Sequence, residues 1–119
     1  MTALVTRCIA ILCVAFFLIP CAAIAEDDID SGTYVLRGCR SFISAGRDDY
    51  LAQGICMGAV KAIIRTNPRV CRPKILTTDQ AIRVIIAYID SRPVRRHENF
   101  YGLAIEAMEH AWPCPTRAR

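Results

Sequence analysis

Thr77-Thr78-Asp79-Gln80-Ala81-Ile82-Arg83-Val84-Ile85-Ile86-Ala87-Tyr88-Ile89-Asp90 is the stretch on which the fold class turns. Its Ile and Val residues are β-branched and stiff at χ1, a property that favours strands. Three features outweigh that preference. Thr77 and Gln80 make a capping box, in which the threonine side chain takes up a free N–H of the first turn and the glutamine reaches back. Ile82, Val84, Ile85, Ile86 and Ile89 recur with a helical period rather than in strict alternation. The run to Asp90 is also long for a strand. A helix is the expected element.

The neighbouring segments read the same way. Pro68 ends the preceding helix, because the residue before a proline avoids the helical region. That helix starts after the Asp48-Asp49 pair, either of which can cap it, and runs to about Thr66 with Leu51, Ile55, Ala59, Ala62 and Ile63 at helical spacing. Gly46 marks the break before it. A first helix, capped by Asp30 or Ser31, is expected from about Thr33 to Ala45 with Tyr34, Leu36 and Phe42 among its apolar residues. Downstream, Pro93 suits the first position of a fourth helix. Phe100, Leu103, Ala104, Ala107, Met108 and Ala111 form its apolar stripe, Pro113 ends it, and the tail Thr116 to Arg119 should fray. The expected fold is all-α, a small four- to five-helix bundle stapled by disulfides.

The N-terminus carries an export signal. Arg7 gives a positive start, Ile9 to Ile19 is apolar apart from Cys13, Pro20 ends that run, and Ala23-Ile24-Ala25 supplies the small-x-small cleavage pattern. Cleavage after Ala25 divides the chain into a signal peptide, residues 1–25, and one mature domain, residues 26–119. The rival is a retained anchor over Cys8 to Ala25, against which Pro20 and the small residues argue. A lipoprotein would need a small residue before the modified cysteine, and Cys21 follows Pro20. The expectation is a periplasmic protein with no stable membrane anchor.

Export decides what the cysteines mean. Of seven, Cys8, Cys13 and Cys21 leave with the signal, and Cys39, Cys56, Cys71 and Cys114 remain. Four in a small exported domain imply two disulfides, and the absence of a C-x-x-C pair speaks against zinc. Residues equidistant from a hairpin turn face one another, so Cys39 should meet Cys56, leaving Cys71 for Cys114. The alternative is Cys56 with Cys71 and Cys39 with Cys114.

The chain is 54 % hydrophobic and 22 % charged, which excludes disorder. Its net charge of +4 is spread through mixed signs, so nucleic acid is not an expected partner. The one basic cluster retained from this reading is Arg92, Arg95, Arg96 and His97. Gly54 and Gly58 make a G-x-x-x-G, but the same helix carries Lys61 and Arg65 and is no bilayer span. Gly58 is expected to let another helix approach, with a dimer seam as the alternative. Trp112 and Tyr101 are expected as core or core-edge anchors.

No catalytic residue, metal ligand or cofactor site is expected. His97 and Glu98 are adjacent and would diverge on a helix. His110 lies near a helix end, where it can satisfy the last carbonyls. Glu106 and Glu109 read as a solvated acidic pair, and no G-x-S-x-G is present.

Ile55-Cys56-Met57-Gly58-Ala59-Val60, Val70-Cys71-Arg72-Pro73, Tyr88-Ile89-Asp90-Ser91-Arg92-Pro93, Arg96-His97 and Ala107-Met108-Glu109-His110-Ala111-Trp112-Pro113-Cys114 together resemble the Rap/Tai family. Its pattern has a Cys-x-Gly at the start of one helix, a Cys-x-Pro loop, a Pro a few residues ahead of a His, and a closing Pro-Cys. The resemblance covers about Gly32 to Cys114, and Ala59 departs from it where relatives commonly place an aromatic. It implies a helical, disulfide-bonded periplasmic immunity protein, often a homodimer, without catalysis of its own. Such a protein binds a type VI secretion peptidoglycan amidase effector and occludes its active site. The turn with Arg92, Arg95, Arg96 and His97 is the candidate contact surface, beside the plainer reading of a solvated helix start. The alternative function is an exported helical binding or assembly module of the cell envelope with no toxin partner.

Overall fold

The computed structural model describes residues 28–116. The segment 1–25, expected as a signal peptide, and the last three residues of the tail lie outside the described residues. Four helices follow in order: α1 Gly32–Ile43, α2 Tyr50–Thr66, α3 Thr78–Asp90 and α4 Phe100–Ala111, with a single 3-10 turn at Pro93–Arg95 between the last two. The described part is all-α, as the periodicity predicts.

Each helix starts at a side-chain cap. Ser31 Oγ accepts the Tyr34 N–H at 3.2 Å, Asp49 Oδ1 accepts that of Ala52 at 3.0 Å, and Asn99 Oδ1 that of Gly102 at 3.2 Å. At α3 both halves of the Thr77–Gln80 capping box are formed. These bonds satisfy donors that a helix N-terminus otherwise leaves free.

Two boundaries differ from the sequence expectation. α1 ends at Ile43 rather than Ala45, because Ala45 adopts φ 55°. The Gly46 N–H then donates to Ser41 O and the Ala45 N–H to Phe42 O, the pair of bonds that closes a Schellman motif. The last helix begins at Phe100 instead of Pro93, for a long-range reason. Gly32 N–H donates to the Glu98 carbonyl at 2.8 Å and Thr33 N–H to that of Arg96 at 2.7 Å. Carbonyls that a continuous helix would use internally thus complete the first turn of α1, and Asn99 provides a fresh cap.

Val35, Leu36, Ile63, Ile82, Ile85, Ile89, Phe100, Leu103 and Met108 fill a core to which all four helices contribute. Each is 2 % exposed or less. α1 and α2 meet closely at Gly38, where a Cβ would lie 2.1 Å from the Ala52 carbonyl carbon. The expectation that Gly58 serves this purpose is corrected: nothing approaches within 4 Å of a Cβ at Gly54 or Gly58. α2 turns Ala52, Cys56, Val60 and Ile63 inward, which leaves both glycines, Leu51 and Ala62 exposed on its far side.

Cys39 is bonded to Cys56 with Cα atoms 5.4 Å apart, and Cys71 to Cys114 with Cα atoms 4.8 Å apart. The first joins α1 to α2 inside the core. The second ties the loop after α2 to the end of α4, where Val70 and Pro113 also form a bridge. No helix of the described residues is long and apolar enough to cross a membrane.

Candidate partner-binding site

The turn between α3 and α4 is built from the arginines that the sequence singles out, but their charges are largely turned inward. Arg92 lies over the Tyr88 ring with its guanidinium carbon 3.7 Å from the centroid. It donates to the Tyr88 carbonyl at 3.1 Å and to Ser91 Oγ at 2.7 Å. Tyr88 stands in the last turn of α3 and Arg92 two residues beyond its end, so the chain leaving the helix carries the guanidinium back over the ring.

Arg95 forks to two carboxylates. Its Nε and Nη2 donate to Glu98 at 2.8 and 2.7 Å, and its Nη1 and Nη2 to Glu106 at 2.7 and 3.0 Å. The Tyr88 hydroxyl donates to the same Glu106 carboxylate at 3.2 Å. Hydrogen bonds from Arg95 hold the Glu98 and Glu106 carboxyls below their ordinary values and raise Arg95 further still. Glu106 is therefore an ion-pair partner, not half of a solvated acidic pair, and Glu109 pairs with Arg69 at 2.9 Å.

Arg96 Nη2 donates to Asp90 at 2.9 Å, and Arg40 of α1 shares that carboxylate. The Arg96 carbonyl accepts both the backbone N–H and the hydroxyl of Thr33. Arg95 and Arg96 thus position the turn on α4, α3 and α1. What the turn presents outward is Val94, 79 % exposed, and the exposed His97. Sequence reasoning brought His97 forward but passed over Val94, whose only local signal was an aliphatic residue among arginines.

No acid–base pair is assembled from the candidates for it. His97 and Glu98 lie in the turn rather than on a helix, and His110 packs against Tyr88 with ring centroids 5.8 Å apart. Among the described residues, no cluster of three His, Cys, Asp or Glu is placed to hold a metal ion. Trp112 packs half-buried against the core, whereas Tyr101 is 42 % exposed and is not a core anchor.

These features define a class: a small, doubly stapled helical module with an exposed turn tied down by arginine ion pairs. The comparison with known families makes this specific. Residues 31–114 match the family model of the Rap1a immunity proteins, which covers well over half of the chain, and the protein belongs to that type VI secretion immunity family. No curated protein and no solved structure matches the chain.

Proposed function

We propose that this protein binds and inhibits a peptidoglycan amidase effector of type VI secretion, in the periplasm and without catalysis of its own. The family match over residues 31–114 carries the reading. The oxidised cysteine pairs support an exported site of action, since such bonds persist in oxidising compartments. We take residues 1–25 as the cleaved signal and residues 26–119 as the working domain, so the intact mass of the exported form should begin at Glu26.

An inhibitor binds best with a surface whose ordering cost is not incurred on association. The Pro93–Asn99 turn meets that requirement, held by the Arg95 fork and the Arg96–Asp90 pair. We assign effector contact to its exposed tip, Val94 and His97, with Arg92 at the rim, where charge acts mainly on association rate and specificity.

Affinity capture with the oxidised exported protein, from extracts of its own source cells, tests both parts. The expected prey is an enzyme whose peptidoglycan hydrolysis the protein blocks, with Val94→Asp weakening the complex on the order of tenfold or more. Capture of another envelope protein alone, or of nothing by a folded sample, would sink the amidase reading. Undiminished binding by Val94→Asp would remove only the assignment of the turn.

A further inference from the structure

The end of the bundle opposite the tied turn carries a charge distribution that inhibition of an effector does not use. From Tyr50 to Thr78 the sequence holds five cations, Lys61, Arg65, Arg69, Arg72 and Lys74, and no Asp or Glu. All five are exposed. Arg69 is offset by Glu109. Arg72 donates to the Ile64 carbonyl at 3.0 Å, at the C-terminal end of α2. Among the described residues, no ion pair engages Lys61, Arg65 or Lys74.

Next to Lys74, Ile75 is 87 % exposed. A side chain that apolar gains by leaving water, yet the loop beneath it is held in place. Cys71 is bonded to Cys114, its N–H donates to the Trp112 carbonyl at 3.1 Å, and Val70 bridges to Pro113. Beside it, Val70, Cys71, Arg72 and Lys74 line an open hollow of about 520 Å³ with a mixed polar and apolar wall.

One projecting aliphatic side chain among exposed cations, with the nearby acids Glu109 and Asp79 each taken up by an arginine, Arg69 and Arg83, matches a surface that is anionic, laterally uniform and apolar just beneath. A protein interface asks for something else, aromatic anchors at a desolvated centre. Lys61 to Thr78 contains no aromatic residue and no acid with which to set a register. We propose that this end of the bundle docks reversibly on an anionic phospholipid bilayer. Ile75 enters the headgroup boundary, and Arg65, Arg72 and Lys74 lie over the lipid phosphates. α3 separates this loop from the Pro93–Asn99 turn by 13 residues, about 20 Å of helix, so the turn faces away from the bilayer and stays open. The inference is independent of the amidase assignment.

Each cation brought to an anionic membrane strengthens partitioning about fivefold, and salt weakens it. The test is co-sedimentation of the protein purified from the envelope, with vesicles of phosphatidylglycerol and phosphatidylethanolamine against vesicles of phosphatidylcholine alone. Binding is expected only to the anionic vesicles, to fall with salt, and to drop about fivefold or more in Ile75→Asp and further in Arg65→Glu/Lys74→Glu. Val94→Asp, in the turn, should bind as the parent does. The substituted residues are all exposed, so the fold is retained, and helical circular dichroism checks it. Absence of binding to anionic vesicles at low salt, or binding that the loop variants leave unchanged, overturns the proposal. Absence of vesicle binding combined with loss of a captured protein in Ile75→Asp overturns it too, and reassigns the patch to a protein partner.

Discussion

The Arg95 guanidinium donates to both carboxylate oxygens of Glu106, eleven residues further along the chain, and so binds the turn before α4 to the second turn of α4 itself. The same guanidinium holds Glu98 within the turn. A planar fork with five donors can do this, whereas a lysine ammonium cannot span two carboxylates with the same geometry. Arg95 therefore acts on a partner by fixing where Val94 and His97 stand.

Arg95→Ala should loosen the turn while leaving the core intact. The amides to watch are Glu98, whose N–H donates to the Arg95 carbonyl, and Phe100, whose N–H donates to Asp30. Their hydrogen exchange is expected to quicken on the order of tenfold, with the interior of α2 unchanged, and Arg95→Lys should fall between. Equal exchange in all three proteins would mean that the fork does not order the turn.

Acid should have a related effect. Hydrogen bonds from Arg95 lower the Glu98 and Glu106 carboxyls below their ordinary value of 4.5. A carboxyl lowered by folding adds stability that is fully present above its unfolded value and is lost as pH falls through the lowered one. Both groups are solvent-accessible, so the contribution is modest. The thermal midpoint should hold from neutrality down to about pH 5 and decline as pH falls below the ordinary carboxyl value of 4.5, less steeply in Glu98→Gln/Glu106→Gln, which lacks the pairs at the outset. Parallel declines in the two proteins would assign acid sensitivity to other carboxylates.

What the sequence disclosed and what it concealed divide by range. The capping box of Thr77 and Gln80 is complete within four residues, and it was readable. The cysteine pairing was readable as well, because a hairpin relates Cys39 to Cys56 through one short turn. The start of α4 was not. Pro93 is a good local first residue, but the Arg96 and Glu98 carbonyls are claimed by Thr33 and Gly32 more than sixty residues earlier. The inward pairing of the arginines stayed hidden for the same reason, as Glu106 reads alone as a solvated acid. The run of cations from Lys61 to Lys74 with no acid between them is visible in the sequence, but averaging charge over the whole chain conceals it.

The two disulfides should differ in resistance to reduction. Cys39 and Cys56 are fully buried, whereas Cys71 is exposed, and thiol exchange requires access to a sulfur. Limited reduction followed by alkylation should label Cys71 and Cys114 first, while Cys39 and Cys56 stay joined. On a chain-entropy basis, removing the bond that spans 43 residues costs about 4 kcal/mol and the one spanning 17 about 3 kcal/mol. Early labelling of Cys39 would show that α1 and α2 part more readily than their packing indicates.

Gly38 and Gly58 allow a test with opposite signs from the same substitution. A Cβ on Gly38 would lie 2.1 Å from the Ala52 carbonyl carbon and 2.2 Å from its oxygen. These are backbone atoms at the point where α1 and α2 touch, and no rotamer change can move them aside. Gly38→Ala must separate the two helices and disturb the Cys39–Cys56 bond beside the contact, for a loss of about 3 kcal/mol or more in denaturant unfolding. Gly58 sits in the middle of α2 with nothing within 4 Å of its would-be Cβ. There, alanine only restricts the unfolded chain and favours the helix, a gain of about 0.5–1 kcal/mol. A stability loss in Gly58→Ala would show that this face is covered in solution, and a dimer that dissociates on the same substitution would identify the cover as a second copy of the chain.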